Sequence, residues 1–209
     1  MIKKQMIFIL VCVLTISVFV FAGQTNVSDF KKLYESTLKM DTNVNFTELR
    51  LSYTKSAGYD PYFDDTNRKY MREAFFKQDA SNMIYYGSIV LKLNPLDIDA
   101  RLFTSIAYGK LGMTNESRLN RFIFEGLMDS VMASGNGRSP ETAIVVIDTK
   151  EEYSMVKSLG ASVIKQEMFE KDDGYFDRIF TQDLKSERKM VLIFNITIPY
   201  KIFRAKYGE

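Results

Sequence analysis

The sequence predicts an α+β fold, in which a bundle of helices packs on a small, largely antiparallel β-sheet. Three observations predict it. Up to about Ser134 the apolar residues recur at helical spacing. From Gly135 onward the pattern becomes that of strands, with the β-branched run Ala143 to Ile147 and strict alternation from Lys189. After the first 23 residues, no apolar run is long enough to span a membrane. The chain divides accordingly into an export signal over 1–23, a helical part over 24–134 and an α+β part over 135–209 that shares the same core.

The helical part is read from its faces and caps. Asp29 to Met40 sets Phe30, Leu33, Tyr34 and Leu38 on one side, with Ser28 as N-cap. Phe46 to Lys55 continues the pattern until Gly58-Tyr59-Asp60-Pro61-Tyr62 breaks it, because proline restricts Asp60 and cannot continue a helix. Asn67 to Gln78 turns Tyr70, Met71, Ala74 and Phe75 inward, and Asp79 to Asn82 offers caps for a helix over Met83 to Leu93.

One helix ends in LKLNP, the next is DARLFTSIAYGKLG, and another begins at Glu116 and runs to Ser134. This junction resembles that of tetratricopeptide repeats. Pro95 terminates a helix, Ala107 and Gly109 allow close packing, and Gly112 eases the turn. A free-standing solenoid needs about three repeats, so the expectation is a compact bundle with one tetratricopeptide-like hairpin.

In the C-terminal part, Ala143 to Ile147 reads as a strand buried on both faces. Thr149-Lys150-Glu151-Glu152 reads as a capping box opening a helix that Gly160 stops. Ser162 to Phe169 and Tyr175 to Thr181 are strands separated by the turn Asp172-Asp173-Gly174. Lys189 to Ile198 is a strand with Met190, Leu192, Phe194, Ile196 and Ile198 on one face, and Pro199 ends it.

Composition narrows the chemistry. Lys3 and Lys4 precede an apolar core from Met6 to Phe21, and Val20-Phe21-Ala22 supplies a signal-peptidase site before Gly23. The expectation is an exported protein, periplasmic or secreted, touching the membrane only through this signal. The sole cysteine, Cys12, lies inside the signal, and there is no histidine. The mature chain thus carries no disulfide, no thiol nucleophile and no usual zinc ligand, and neither cofactor nor metal is expected. Of 28 basic and 26 acidic residues, the signal takes Lys3 and Lys4, leaving 26 of each. A neutral surface lacks the electrostatic footprint for nucleic acid.

Three residues are candidate ligand contacts. Tyr59 and Tyr62 flank Asp60-Pro61 and are placed to form a sugar or peptide platform, or else to fold back over a helix end. Arg138, in Gly135-Asn136-Gly137-Arg138-Ser139, suits an anionic ligand. That glycine-rich loop follows a helix and precedes a strand, the reverse of a dinucleotide fingerprint, so it reads as a flexible junction. Tyr85-Tyr86 sits mid-helix, one ring inward and one outward. Carboxylates are the only acid–base pairs available: Asp64-Asp65, Asp97 with Asp99, Glu151-Glu152 and Asp172-Asp173. Each has a local explanation as a cap, a first-turn charge or a turn former. No catalytic residue is assigned.

GNGRSPETAIVVIDTKEEY over 135–153, with FTELRLSYTKSAGYDPY and LKLNPLDIDA upstream, resembles a bacterial exported family catalogued as domain of unknown function 4919. The resemblance implies a host of the Bacteroidota type and an envelope or secreted protein, and no activity. The functional expectation is a non-catalytic interaction module with an envelope protein or glycan as partner. The alternative is a carboxylate-dependent hydrolase acting on envelope polysaccharide, which requires converging carboxylates in a deep cleft.

Overall fold

The computed structural model describes residues 27–63 and 66–208; the expected export signal and Asp64-Asp65 lie outside them. Six helices come first: α1 (Val27–Leu38), α2 (Phe46–Tyr53), α3 (Thr66–Phe76), α4 (Ala80–Leu93), α5 (Ile98–Lys110) and α6 (Thr114–Met132). A short 3-10 turn, Pro140–Thr142, leads into β1 (Ile144–Val145), α7 (Lys150–Ser158), β2 (Ala161–Lys171), β3 (Gly174–Asp183), β4 (Lys189–Asn195) and α8 (Thr197–Tyr207). The fold is α+β, with the sheet at the C-terminal end.

Side-chain caps start three of the helices. Asn45 accepts from the Glu48 amide at 3.1 Å, Asp79 from Asn82 at 3.0 Å, and Asp97 from Ala100 at 2.9 Å, each satisfying an orphan amide of a first turn. Gly112 (φ 73°) and Gly160 (φ 69°) close α5 and α7 in the left-handed region that favours glycine.

Helices α3 to α6 pack in sequence as antiparallel neighbours. Ile98 opens α5 32 residues after Thr66 opens α3, and Thr114 opens α6 34 residues after Ala80 opens α4. The α5–α6 hairpin recognised from sequence therefore has a predecessor of repeat-like spacing in α3–α4. Close approach is built in. A Cβ on Gly87 of α4 would lie 2.5 Å from the Thr104 methyl of α5. Ser105 and Ser117 exchange hydroxyl-to-carbonyl bonds of 3.0 and 2.9 Å across α5 and α6.

The sheet order is β1-β4-β3-β2, with β1 parallel to β4 and the other pairs antiparallel. Asp172 and Asp173 form a two-residue hairpin loop, both at positive φ (48° and 60°), which matches the right-handed twist of the strands. β2 forms one edge and carries an irregularity at Ile164, where the register jumps from Val163 to Lys165. One cluster of buried side chains joins the two parts: Leu49, Ile123, Leu127 and Val131 meet Ile144, Val156, Ile179 and Phe194.

Several expected boundaries move. β4 stops at Asn195, not Ile198, because the Asn195 side chain accepts from the Thr197 amide at 3.0 Å and turns the chain. Pro199 then lies in the first turn of α8, where its missing N–H costs nothing; it starts a helix and does not end a strand. The run Ala143 to Ile147 is buried except for half-covered Val145, yet only Ile144 and Val145 pair as strand. α1 begins at Val27, which places Ser28 within its first turn and not at the cap. Thr149 makes no side-chain cap, so the expected capping box is absent; Asp148 accepts from the Lys150 amide instead, at 2.9 Å.

Because α4 and α5 touch at Gly87, Gly87→Ala should lower stability by about 1–3 kcal/mol through overpacking against Thr104. Urea unfolding measures it; a midpoint equal to wild type would contradict the close contact.

Candidate functional site

The polar interior is organised by the start of α7. Arg50 of α2 is 2 % exposed and grips Glu151 with two bonds, from Nε to Oε1 at 3.2 Å and from Nη2 to Oε2 at 2.5 Å. It also donates to the Val145 carbonyl at 3.0 Å and to Ser130 Oγ at 3.5 Å, while Glu151 accepts from the Ile147 amide at 2.9 Å. One guanidinium thus ties α2, α6, β1 and α7 together. A second buried arginine, Arg68 of α3, pairs with Asp97 and lies 3.7 Å from Asp99. Asp99 accepts from Ser154 of α7 at 2.7 Å. Lys150 lies 3.4 Å from Asp148 and donates to the Pro61 carbonyl at 3.0 Å, pinning the 59–62 turn over this interior.

Glu152, the next residue, turns to the sheet. It is fully buried and hydrogen-bonds to Asp177 of β3, which is 3 % exposed. Gln166 of β2 donates to Asp177 at 2.6 Å and lies 3.5 Å from Glu152. Burial pushes the Glu152 carboxyl well up, reinforced by the charge of Asp177 and its hydrogen bond, then by Asp148 and Glu151. Burial also raises Asp177, while its bonds to Gln166 and Glu152 pull it back down. The two acids therefore titrate as a coupled pair that shares a proton above the ordinary carboxylate range. Glu152 Oε1 meets no partner among the described residues, a state far less costly for a neutral acid than for a buried anion. Asp148 is likewise raised by burial and held back chiefly by the Lys150 charge.

Asp97, Asp148 and Glu151 face a small cavity that neither Glu152 nor Asp177 lines. The cavity between the two parts, lined by Tyr53, Tyr59, Arg68, Asp97, Asp148 and Glu151 among others, holds about 10 Å³, room for one water at most. It is too small for a sugar.

The surface above is aromatic. Tyr62 meets Phe203 of α8 with ring centroids 5.3 Å apart; Phe203 meets Tyr207 at 5.0 Å and Tyr200 at 6.1 Å; Tyr200 meets Tyr175 at 4.3 Å. Four of these rings are half-buried and Tyr207 is exposed. The Asp60–Lys206 ion pair, 2.7 Å long, and the bond from Arg204 to the Tyr175 hydroxyl, 2.8 Å, hold α8 in place. Burial raises Tyr62 to about 12, and the charges of Asp148, Asp177 and Glu152 add to it.

The candidates from sequence separate. Tyr59 turns inward: its ring stands edge-on to Tyr53 at 5.4 Å and its hydroxyl donates to the Ile147 carbonyl. Tyr62 turns outward into the ring strip. Arg138 is exposed on the junction loop, whose Asn136 side chain accepts from the Arg138 amide at 3.0 Å. Ring contacts join Tyr85 and Tyr86 to Tyr70, in a cluster on α3 and α4. Glu151-Glu152 lies in the first turn of α7, as expected, but both carboxyls are buried. Arg50, Asp148 and Asp177 are the polar residues the sequence reading passed over. Asp177 had a signal, since it shares the inward face of β3 with Tyr175, Ile179 and Thr181. Among the described residues, no three acids converge as a metal site.

Comparison with known families matches residues 24–201 to the one described as Domain of unknown function (DUF4919). No curated protein and no solved structure matches the chain.

Breaking the buried pair leaves a lone charge, so Arg50→Ala should cost about 3–5 kcal/mol, and Arg50→Met with Glu151→Leu should recover most of it. Denaturant unfolding of the three proteins tests this; a single variant as stable as wild type would rule the clamp out. Glu152 has its pKa raised on folding. Its contribution is full below the ordinary carboxylate range, falls as pH rises from there, and is lost once pH passes the raised value. Glu152→Gln should flatten the decline of melting temperature from acidic to alkaline pH, and identical pH slopes in the two proteins would refute the shared proton.

Proposed function

We propose that this chain, which belongs to the domain of unknown function 4919 family, is an exported, non-catalytic binding module of the cell envelope. Its partner is an envelope protein or glycan, met on the ring strip formed by Tyr62, Tyr175, Tyr200, Phe203 and Tyr207. One observation carries this reading: five rings meet at the surface around α8, while Glu152 and Asp177 are buried. Half-exposed tyrosines offer an apolar face and a polar edge at little entropic cost, which suits peptide or sugar recognition. The basic side chains Lys201, Arg204 and Lys206 flank the rings on α8, a helix with no acidic residue. The export reading rests on the leader of residues 1–23, and none of the described helices is long and apolar enough to cross a membrane.

The Glu152–Asp177 pair favours the second reading, a hydrolase, because a desolvated acid beside an ionised one is the usual equipment of a glycosidase. It lacks an open approach for substrate. Capture from the native envelope extract, read by mass spectrometry beside a glycan array, separates the two. Tyr62→Ala with Phe203→Ala should cut partner capture about tenfold or more, as loss of two aromatic contacts does, while leaving the fold intact by circular dichroism. Turnover of an envelope glycan that disappears in Glu152→Gln would establish the hydrolase instead.

A further inference from the structure

β2 is an eleven-residue edge strand. Its inner side pairs with β3 from Ala161 to Lys171, and its outer side makes no backbone hydrogen bond among the described residues from Ser162 to Lys171. An edge left open over that length is a template for another strand. Two large apolar side chains stand on it in water: Ile164 is 52 % exposed and Met168 is 53 % exposed. Lys165 and Glu167, between them, share the opposite face of the sheet and form an ion pair with each other, with Arg178 3.6 Å from Glu167.

The order of these residues is self-complementary. We propose that β2 pairs antiparallel with β2 of a second copy of this chain, with Gln166 facing Gln166 across a two-fold axis normal to the sheet. In that register Lys165 of each copy faces Glu167 of the other, and Met168 of each comes beside Ile164 of the other, where the strand is irregular. Opposite charges and apolar pairs directly across a ladder stabilise it, and the same patch on both subunits is what a two-fold interface requires. The neighbouring registers that keep both core faces on one side fail. An axis on Lys165 puts lysine opposite lysine, and an axis on Glu167 puts glutamate opposite glutamate; like charges so placed are destabilising. Both sheets then join as one eight-stranded sheet across the dimer.

Sedimentation equilibrium across the micromolar range reads the assembly. The wild-type chain should be a dimer. Lys165→Glu sets acid against acid at both symmetry-related positions and should weaken dimerisation about tenfold or more. Lys165→Glu combined with Glu167→Lys exchanges the charges and should restore the dimer. A second measurement fixes the register without depending on those variants folding. With Cys12 replaced by Ser, Gln166→Cys should form a disulfide between copies on mild oxidation, since directly opposed residues of an antiparallel pair lie within disulfide reach. Glu170→Cys should not, because its counterpart in the other copy is eight positions out of register. A monomeric wild type, a Lys165→Glu dimer as tight as wild type, or cross-linking at 170 in place of 166 would each overturn the proposal.

Discussion

Everything in this molecule is arranged around an ion pair in a dry place. Arg50 and Glu151 sit where moving either charge out of water is expensive, and only a full set of bonds makes that position tolerable. The guanidinium finds that set in three other elements, so it fixes where the first turn of α7 lies relative to the bundle. Consecutive residues on a helix point about 100° apart. With Glu151 committed to the bundle, Glu152 is aimed at the sheet, where Asp177 receives it. Two neighbouring acids thus bind opposite halves of the fold, one held by a buried guanidinium and one by a second buried acid.

The other buried polar groups extend this scheme. Arg68 with Asp97 and Asp99 connects α3 and α5 to Ser154 of α7. Arg101 bridges the Pro95 carbonyl, the Tyr34 hydroxyl and Asn120, so α1, α5 and α6 share one guanidinium. Directional bonds of this kind do not slide as apolar contacts do. They set the repeat-like hairpins in one orientation against the sheet.

Much of the fold was legible in the chain. The six helices of the first part, the change of character after Gly135 and the hairpin at Asp172-Asp173 all follow from periodicity and caps, which are local. α8 escaped because Pro199 has two meanings, a strand end or a helix start, and the choice depends on the Asn195 side chain folding back. The interior polar network was harder. Glu151-Glu152 after an apolar run satisfies every local rule for an exposed first turn, and only a partner 101 positions away in sequence, Arg50, reveals that it is buried. Tyr59 and Tyr62 carried the same two alternatives in the sequence; Tyr59 turns inward, and Tyr62 stacks outward on Phe203.

The Glu152–Asp177 contact also alters the proton inventory of the chain. A count of residue types over residues 24–209 gives equal numbers of acids and bases, but that count assumes every carboxyl ionised. Above the ordinary carboxylate range, the folded chain retains a proton at the Glu152–Asp177 pair that the unfolded chain gives up. Its native charge there is therefore more positive than the sequence total, and unfolding becomes a proton-releasing reaction. The heat of denaturation then includes the ionisation heat of whichever buffer takes up that proton, so calorimetry in phosphate and in an amine buffer records two different enthalpies for one conformational change.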